Sequence, residues 1–263
     1  MNNTFVICEA SKNWLTSESM TIYKALENAK KLASIAKSSG GNCVKYQCHV
    51  AEDEVKKRHA KRHSWITLNE ALTPFDTFWK PLKEYCDEIG IEFLCTPMSK
   101  LAAEKINPLI KRWKVASPDI RDWELLQYLK DTGKPIIFST GMATEDKVWE
   151  TREFLGGNYK TLACVSEYPC PTERADLEEL RKRHGLSDHT QSLITGALAV
   201  ALGAEIVEKH FTFSNWGKDA HMSLNPKQLK IYIDNIREAE KAMLPVERPT
   251  EKEEELLKDF WTL

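Results

Sequence analysis

HGLSDHTQSLITGALAVALGAEIVEKHFTFSNWGKDAHMSLNP, residues 184–226, decides how the whole chain is read. It holds a Ser-Asp-His-Thr turn at 187–190, a run of small apolar residues closing at Gly203, and a strand-like segment at 205–212. Side chains alternate faces along an extended chain, so Glu208, His210 and Thr212 share one side, as do Ser187 and His189 in the segment before. Ile206, Val207 and Phe211 fall on both faces, which suits a parallel strand covered on both sides. Two successive strands of a βαβ unit therefore each end in a histidine. In parallel α/β proteins, strand C-termini are where ligands sit.

Working outward, the same alternation of short β-rich runs and helical periodicity fills the chain. Strands are expected at 5–10, 43–49, 91–97, 113–117, 135–140, 161–166, 186–189 and 206–211. Helices are expected at 19–38, 73–89, 100–106, 123–131, 145–155, 176–183 and 226–243, with the small-residue helix before Gly203 between the last two strands. Gly40-Gly41, Gly90 and Gly133 punctuate helix ends, and Thr73-Pro74 starts a helix. Eight such units in 263 residues is the count of a single (β/α)8 TIM barrel, expected over 1–248. An open doubly wound sheet is the alternative, since strand order is not readable from sequence. Residues 249–263, with Glu251 and Glu253 to Glu255, read as an acidic terminal helix or tail.

Net charge −2 and a pI near 6.4 argue against nucleic-acid and membrane partners. No apolar run approaches the roughly 18 residues that span a bilayer, and residues 1–10 lack the layout of a signal peptide. Seven cysteines without a CxxC pair, with Cys8, Cys48, Cys95 and Cys164 in or beside apolar runs, read as free thiols of a cytoplasmic protein. One segment breaks the rhythm: KKRHAKRH at 56–63, with His59 and His63 four apart. It fits a phosphate site or a two-histidine helical face; the plainer reading is a solvated loop or short helix beside a strand end.

Eight strands bring a definite set of polar residues to one end. They are Glu9 from the first, Lys45 and Gln47 from the second, Thr96 from the third, and Lys114, Ser117 and Asp119 from the fourth. Ser139 and Thr140 come from the fifth, Ser166 and Tyr168 from the sixth, Ser187 and His189 from the seventh, Glu208 and His210 from the eighth. A lone lysine at a strand end usually snorkels to water. Two lysines among several hydroxyls instead suit a dianionic phosphate, because cations and donors together replace its hydration. Either histidine alone reads as a satisfied core residue; both together, near Glu9 and Asp119, suit a metal site with open positions for substrate oxygen.

The run SDHTQSLITGALAVALGAEIVEKHFTF resembles the N-acetylneuraminate synthase (sialic acid synthase) family, whose barrels end in an SDHT turn and an EKHFT strand. Other family elements follow in order: VKYQ at 44–47, EFLCTP at 92–97, KVAS at 114–117, STGM at 139–142 and SEYP at 166–169. The resemblance covers about 5 to 248. It implies condensation of phosphoenolpyruvate with the open-chain aldehyde of an N-acetylmannosamine-like sugar, giving a 2-keto-3-deoxy nonulosonic acid and phosphate. Carried over position by position, His189 and His210 hold a divalent metal, commonly Mn2+, with Mg2+ or Co2+ as other candidates. Lys45, Thr96, Lys114, Ser117, Ser139, Ser166 and Ser187 bind phosphoenolpyruvate. Gln47, Tyr168 and Asp219 lie near the reacting carbons or sugar hydroxyls, and Glu9, Asp119 and Glu208 complete the catalytic set.

Departures from the family cluster on the acceptor side. The family's Glu-Ile-Gly-x-Asn-His-x-Gly is here EASKNWLT at 9–16, Ser-Gly-Glu is Ser117-Pro118-Asp119, and Gly-Pro-Asp-His is GKDA at 217–220. The small antifreeze-like domain that follows in relatives, and lends an arginine to the partner's site in a homodimer, has no counterpart in this sequence. N-acetylmannosamine itself is therefore expected to be a poor acceptor, with Trp14, Trp216 or the segment 56–63 shaping the mouth instead. Two other readings stay open: a relative using a different aldehyde, and a non-catalytic barrel that binds a phosphorylated ligand or a partner protein.

Overall fold

The computed structural model describes residues 3–217 and 219–260. Eight strands are present: β1 (Phe5–Ser11), β2 (Cys43–Cys48), β3 (Glu92–Pro97), β4 (Trp113–Val115), β5 (Ile136–Ser139), β6 (Tyr159–Ala163), β7 (Gly185–Asp188) and β8 (Ile206–His210). All pair in parallel, in the order β3-β2-β1-β8-β7-β6-β5-β4. The first and last strands are neighbours, with Glu9 beside His210, which an open doubly wound sheet does not allow. β3 and β4 lie against each other at the remaining seam, where Arg112 Nε donates to Glu92 Oε1 at 2.7 Å. The fold is a (β/α)8 barrel.

Helices surround it. α1 (Ile22–Ser38) follows β1, and α2 (Ala51–Glu54), α3 (His63–Leu72) and α4 (Lys80–Glu88) all follow β2. Single helices follow the others: α5 (Lys100–Ile106), α6 (Trp123–Asp131), α7 (Glu145–Leu155), α8 (Leu177–Leu180), α9 (Thr195–Ala201) and α10 (Pro226–Ala242). Side-chain caps set their starts: Thr21 accepts from Lys24 N, Asp122 from Leu125 N, and Asn225 forms a capping box with Gln228 just before Pro226. α11 (Glu251–Phe260) buries none of its residues.

The strand parity builds the interior in layers. Ile7, Cys43, Leu94, Ile137, Leu162 and Ile206 meet inside the barrel as an apolar floor. Two residues further along the same strands stand Glu9, Lys45, Thr96, Ser139, Cys164 and Glu208, one polar storey above it. Residues of opposite parity, such as Val6, Val44, Tyr46, Phe93 and Val207, pack outward against the helices. Gly185 is required where β7 meets β8: a Cβ there would lie 2.0 Å from the Ile206 carbonyl oxygen.

Three local readings change. The basic segment 56–63, expected as a solvated loop or short helix, is a turn and a 3-10 turn at Ala60–Arg62 set between α2 and α3, and α3 anchors it by burying Ile66, Asn69 and Leu72. The helix expected from 73 opens with a π turn at Phe75–Trp79 that buries both Phe78 and Trp79. The helix expected at 176–183 is one turn, started by the Asp176 cap. No helix among the described residues is long and apolar enough to cross a membrane.

Candidate active site

The polar storey opens into a cavity of about 300 Å³ at the strand C-termini. Lys45 and Lys114, both buried, reach into it from β2 and β4. Lys45 Nζ donates to Thr96 Oγ1 at 2.7 Å and lies 2.7 Å from Glu9 Oε2. Lys114 Nζ donates to Ser139 Oγ at 2.7 Å and stands 3.6 Å from Glu208 Oε2. Ser187 Oγ donates to Glu208 Oε1 at 3.1 Å, and Gln47 Nε2 to Glu9 Oε1 at 3.2 Å. Two ammonium groups and four hydroxyl or amide donors thus share one wall.

The two carboxylates behave differently for a physical reason. Burial raises Glu9, Lys45 opposes it and the neighbouring Glu208 adds to it, so the Glu9 carboxyl is pushed up to about 7. Burial would raise Glu208 as well, but Lys114 and Lys45 outweigh it and hold that group at about 2. Glu208 is therefore the fixed anion and Glu9 the group poised to exchange a proton near neutrality.

His189 and His210 line the same cavity with ring centroids 5.5 Å apart. His189 Nδ1 lies 2.7 Å from the Val165 carbonyl, which takes its proton and leaves Nε2 with a free lone pair. His210 Nδ1 is buried without a hydrogen-bond partner, and burial, reinforced by His189, lowers this imidazole to about 3. Burial would lower His189 too, but Cys164 and the Val165 carbonyl outweigh it and hold that imidazole above the ordinary value, so His210 is the ring that is neutral outright. With both rings deprotonated, two nitrogen donors facing one space fit a divalent cation. Among the described residues no group of three or more His, Cys, Asp or Glu converges, so the protein's share is these two rings. The Tyr168 ring packs on His189 at 4.3 Å, and burial keeps its phenol protonated well above the usual range.

Asp219 also reaches the cavity. β1 carries a bulge between Glu9 and Ser11, and Ser11 takes φ +50°, which turns its hydroxyl onto the Asp219 carboxylate. Lys12 stands 3.9 Å from the same carboxylate. Ser117, at the start of the 3-10 turn after β4, completes the wall.

Four expected residues stand elsewhere. Asp119 turns away from the cavity within that 3-10 turn and is paired with Arg58, which also donates to the Met98 carbonyl at 3.1 Å. Burial pushes the Asp119 carboxyl up to about 6 in spite of Arg58. Ser166 is not on the wall; its Oγ lies 3.9 Å from Cys164 Sγ. Trp14, expected at the mouth, is fully buried against Phe78 at 5.2 Å, and Trp216 is exposed and does not line the cavity. Lys218 lies outside the described residues.

Residues that strand-end reasoning missed are Lys12, Arg62 and His221, all lining the outer cavity. They sit on loops that tertiary packing alone brings there. Cys164, by its apolar sequence surroundings a small hydrophobe, instead has its Sγ 3.5 Å from Ser117 Oγ and 3.7 Å from His189 Nδ1. Burial would raise this thiol; His189 and Ser117 outweigh it and hold it below the ordinary value.

The chain is similar in sequence and fold to known proteins. The N,N'-diacetyllegionaminic acid synthase of Campylobacter jejuni is 31% identical over 269 residues, covering 92% of this chain and 78% of its own. The N-acetylneuraminate-9-phosphate synthase of Mus musculus is 29% identical, covering 83% and 67%. The crystal structure of N-acetylneuraminic acid synthetase from Leptospira borgpetersenii, in complex with citrate, superposes with a TM-score of 0.84 at 25% identity, covering 98% and 91%. The NeuB family model matches residues 32–247, which takes in β2 to β8 with Lys45, Lys114, His189 and His210. The chain belongs to the NeuB family of nonulosonic acid synthase-like enzymes.

Proposed function

We propose that the chain condenses phosphoenolpyruvate with the open-chain aldehyde of a sugar, giving a 2-keto-3-deoxy nonulosonic acid and inorganic phosphate. The observation that carries this reading is the wall where Lys45, Lys114, Thr96, Ser139 and Ser187 face His189 and His210 across one small cavity. Lysines and hydroxyls suit the phosphate and carboxylate of phosphoenolpyruvate, which is compact and fully charged. A divalent cation held by His189 and His210, Mn2+ before Mg2+ or Co2+, would polarise the aldehyde oxygen and stabilise the negative charge growing on it.

The chain's own residues then have distinct tasks. Lys45 and Lys114 hold the enol phosphate so that its C3 meets the aldehyde carbon. A C–C bond forms, and positive charge develops at C2. Water adds there, losing its proton to Glu9, whose carboxyl titrates near neutrality. The proton that Glu9 took passes to the former aldehyde oxygen, which becomes a hydroxyl. The C2–O bond to phosphate then breaks as the C2 hydroxyl gives its proton to the departing phosphate, and the 2-keto acid and phosphate leave. Glu208 stays ionised between the lysines, raises Lys45 and opposes the burial that lowers Lys114. Gln47 orients Glu9, while Asp219 and Tyr168 face the acceptor side.

The named relatives make different products, so the family does not fix the acceptor. A cavity of about 300 Å³ is at the small end for ligand sites and favours an acceptor other than N-acetylmannosamine. The test is phosphate release from phosphoenolpyruvate with a panel of aldoses, with and without Mn2+. If no aldose supports release, the reading is wrong.

A further inference from the structure

The outer half of the cavity carries charge that the reaction at its floor does not use. Arg58 lies in the turn before the 3-10 segment Ala60–Arg62 and Arg62 ends that segment, and their surroundings differ. Arg58 is consumed by Asp119. Arg62 lines the cavity and, among the described residues, pairs with no carboxylate and donates no side-chain hydrogen bond. Lys12 enters from the opposite side on the loop after β1. Its Nζ lies 5.4 Å from the centroid of Trp65, three residues beyond Arg62 on the turn that begins α3, so the two cations flank one rim.

The facing carboxylates can be counted. At the floor, Lys45 and Lys114 are met by Glu208 and Glu9. At the rim, Lys12 and Arg62 are met by Asp219 alone, held at 3.9 Å from Lys12 and bonded by Ser11. One cation is left over, and it is the guanidinium, whose planar fork suits a carboxylate or phosphate. His221 lines the same region and adds a ring donor. Phosphoenolpyruvate occupies the floor in the reading above, so the surplus faces the far end of the acceptor.

We infer that Arg62 and Lys12 form a second anion subsite, and that the acceptor is an aldose carrying a negatively charged group at the end away from its aldehyde. This rests on the synthase reading for the word acceptor, but not for the subsite. Phosphate and carboxylate share the chemistry that Arg62 reads.

The experiment separates these sources and the two claims. Phosphate release with phosphoenolpyruvate and Mn2+ is measured for matched pairs: arabinose with arabinose 5-phosphate, N-acetylmannosamine with its 6-phosphate, and glucose with glucuronate. In each effective pair the anionic member should have kcat/KM roughly tenfold or more above the neutral one, the scale of one charge-assisted contact. Arg62→Gln should collapse that ratio through acceptor KM, leaving the KM for phosphoenolpyruvate within about twofold. Equal use of neutral and anionic aldoses, or an unchanged ratio in Arg62→Gln, overturns the inference. Binding of arabinitol 5-phosphate against arabinitol, with phosphoenolpyruvate saturating, tests the subsite without turnover. Preferential binding lost in Arg62→Gln keeps the subsite even if no aldose releases phosphate, a result that would overturn only the synthase reading. Equal binding of the two alditols overturns the subsite.

Discussion

Glu9 and Glu208 face each other across one ammonium group: Lys45 Nζ stands 2.7 Å from Glu9 Oε2 and 3.9 Å from Glu208 Oε2. Two carboxylates sharing one lysine cannot both ionise cheaply, and the second lysine, Lys114, sides with Glu208. The proton therefore resides on Glu9 at acid pH.

Turnover should rise with pH through about 7 as Glu9 ionises. Glu9→Gln should remove that inflection and lower kcat on the order of 100-fold or more. Stability moves the opposite way. With the folded value raised from 4.5 to about 7, the stabilising contribution is fully present below 4.5 and is lost as pH rises through 7. Urea unfolding from pH 5 to pH 8 should show wild type losing stability over that window, and Glu9→Gln losing less. An unchanged pH profile in Glu9→Gln would exclude Glu9 as the titrating group.

Metal dependence is checked by content as well as by rate. His189→Ala and His210→Ala should each bind less Mn2+ after dialysis and lose metal-dependent turnover on the order of 100-fold or more, since charge stabilisation by a cation supplies several kcal/mol. Both variants should melt near wild type, because residues at a barrel's mouth lie outside its packed layers. Chelation should silence wild type, and added Mn2+ should restore it. Equal metal content in all three proteins would refute the assignment.

The site was legible where the chain is extended. Strands covered on both faces leave period two as the only freedom, so Lys45 with Gln47, Ser187 with His189, and Glu208 with His210 point together as their parity requires. Closure of the barrel was not legible, because the β1–β8 pairing joins segments about 200 residues apart. Asp119 misled because it follows β4 directly, yet its environment is set by Arg58, 61 residues away. Trp14 misled in the same way: a loop position said nothing of the Phe78 ring that buries it. Arg62 hid inside a charge run whose solvated look concealed the buried face of α3.

Behind the histidines lies a second constraint. Asp188 and Lys209 pair at 2.8 Å on the outward faces of β7 and β8, both buried, with the Tyr232 hydroxyl donating to Asp188 at 2.8 Å. They alternate with Ser187, His189, Glu208 and His210, so the pair locks the register that aims those groups inward. Lys209→Met should strand a buried carboxylate and cost roughly 3–5 kcal/mol, whereas Tyr232→Phe should cost about 1–2 kcal/mol. Chemical denaturation measures both; a Lys209→Met protein as stable as wild type would show the pair to be dispensable.

The last prediction concerns the segment over the mouth. Arg58 pairs with Asp119 outside the cavity, and Asp119 is buried. Removing the guanidinium leaves a buried carboxylate without its cation, so Arg58→Ala should destabilise the chain by roughly 3 kcal/mol at pH 7.5. The sign with pH follows from Asp119. Its folded value is raised from 3.8 to about 6, so its stabilising contribution is complete below 3.8 and lost as pH rises through 6. Below that range the carboxyl is neutral and Arg58 has little charge to satisfy. The cost of Arg58→Ala should therefore be small at pH 5 and grow toward pH 7.5, and Asp119→Asn should largely cancel it. A cost independent of pH would mean that Arg58 acts through packing and its bond to the Met98 carbonyl, not through the ion pair.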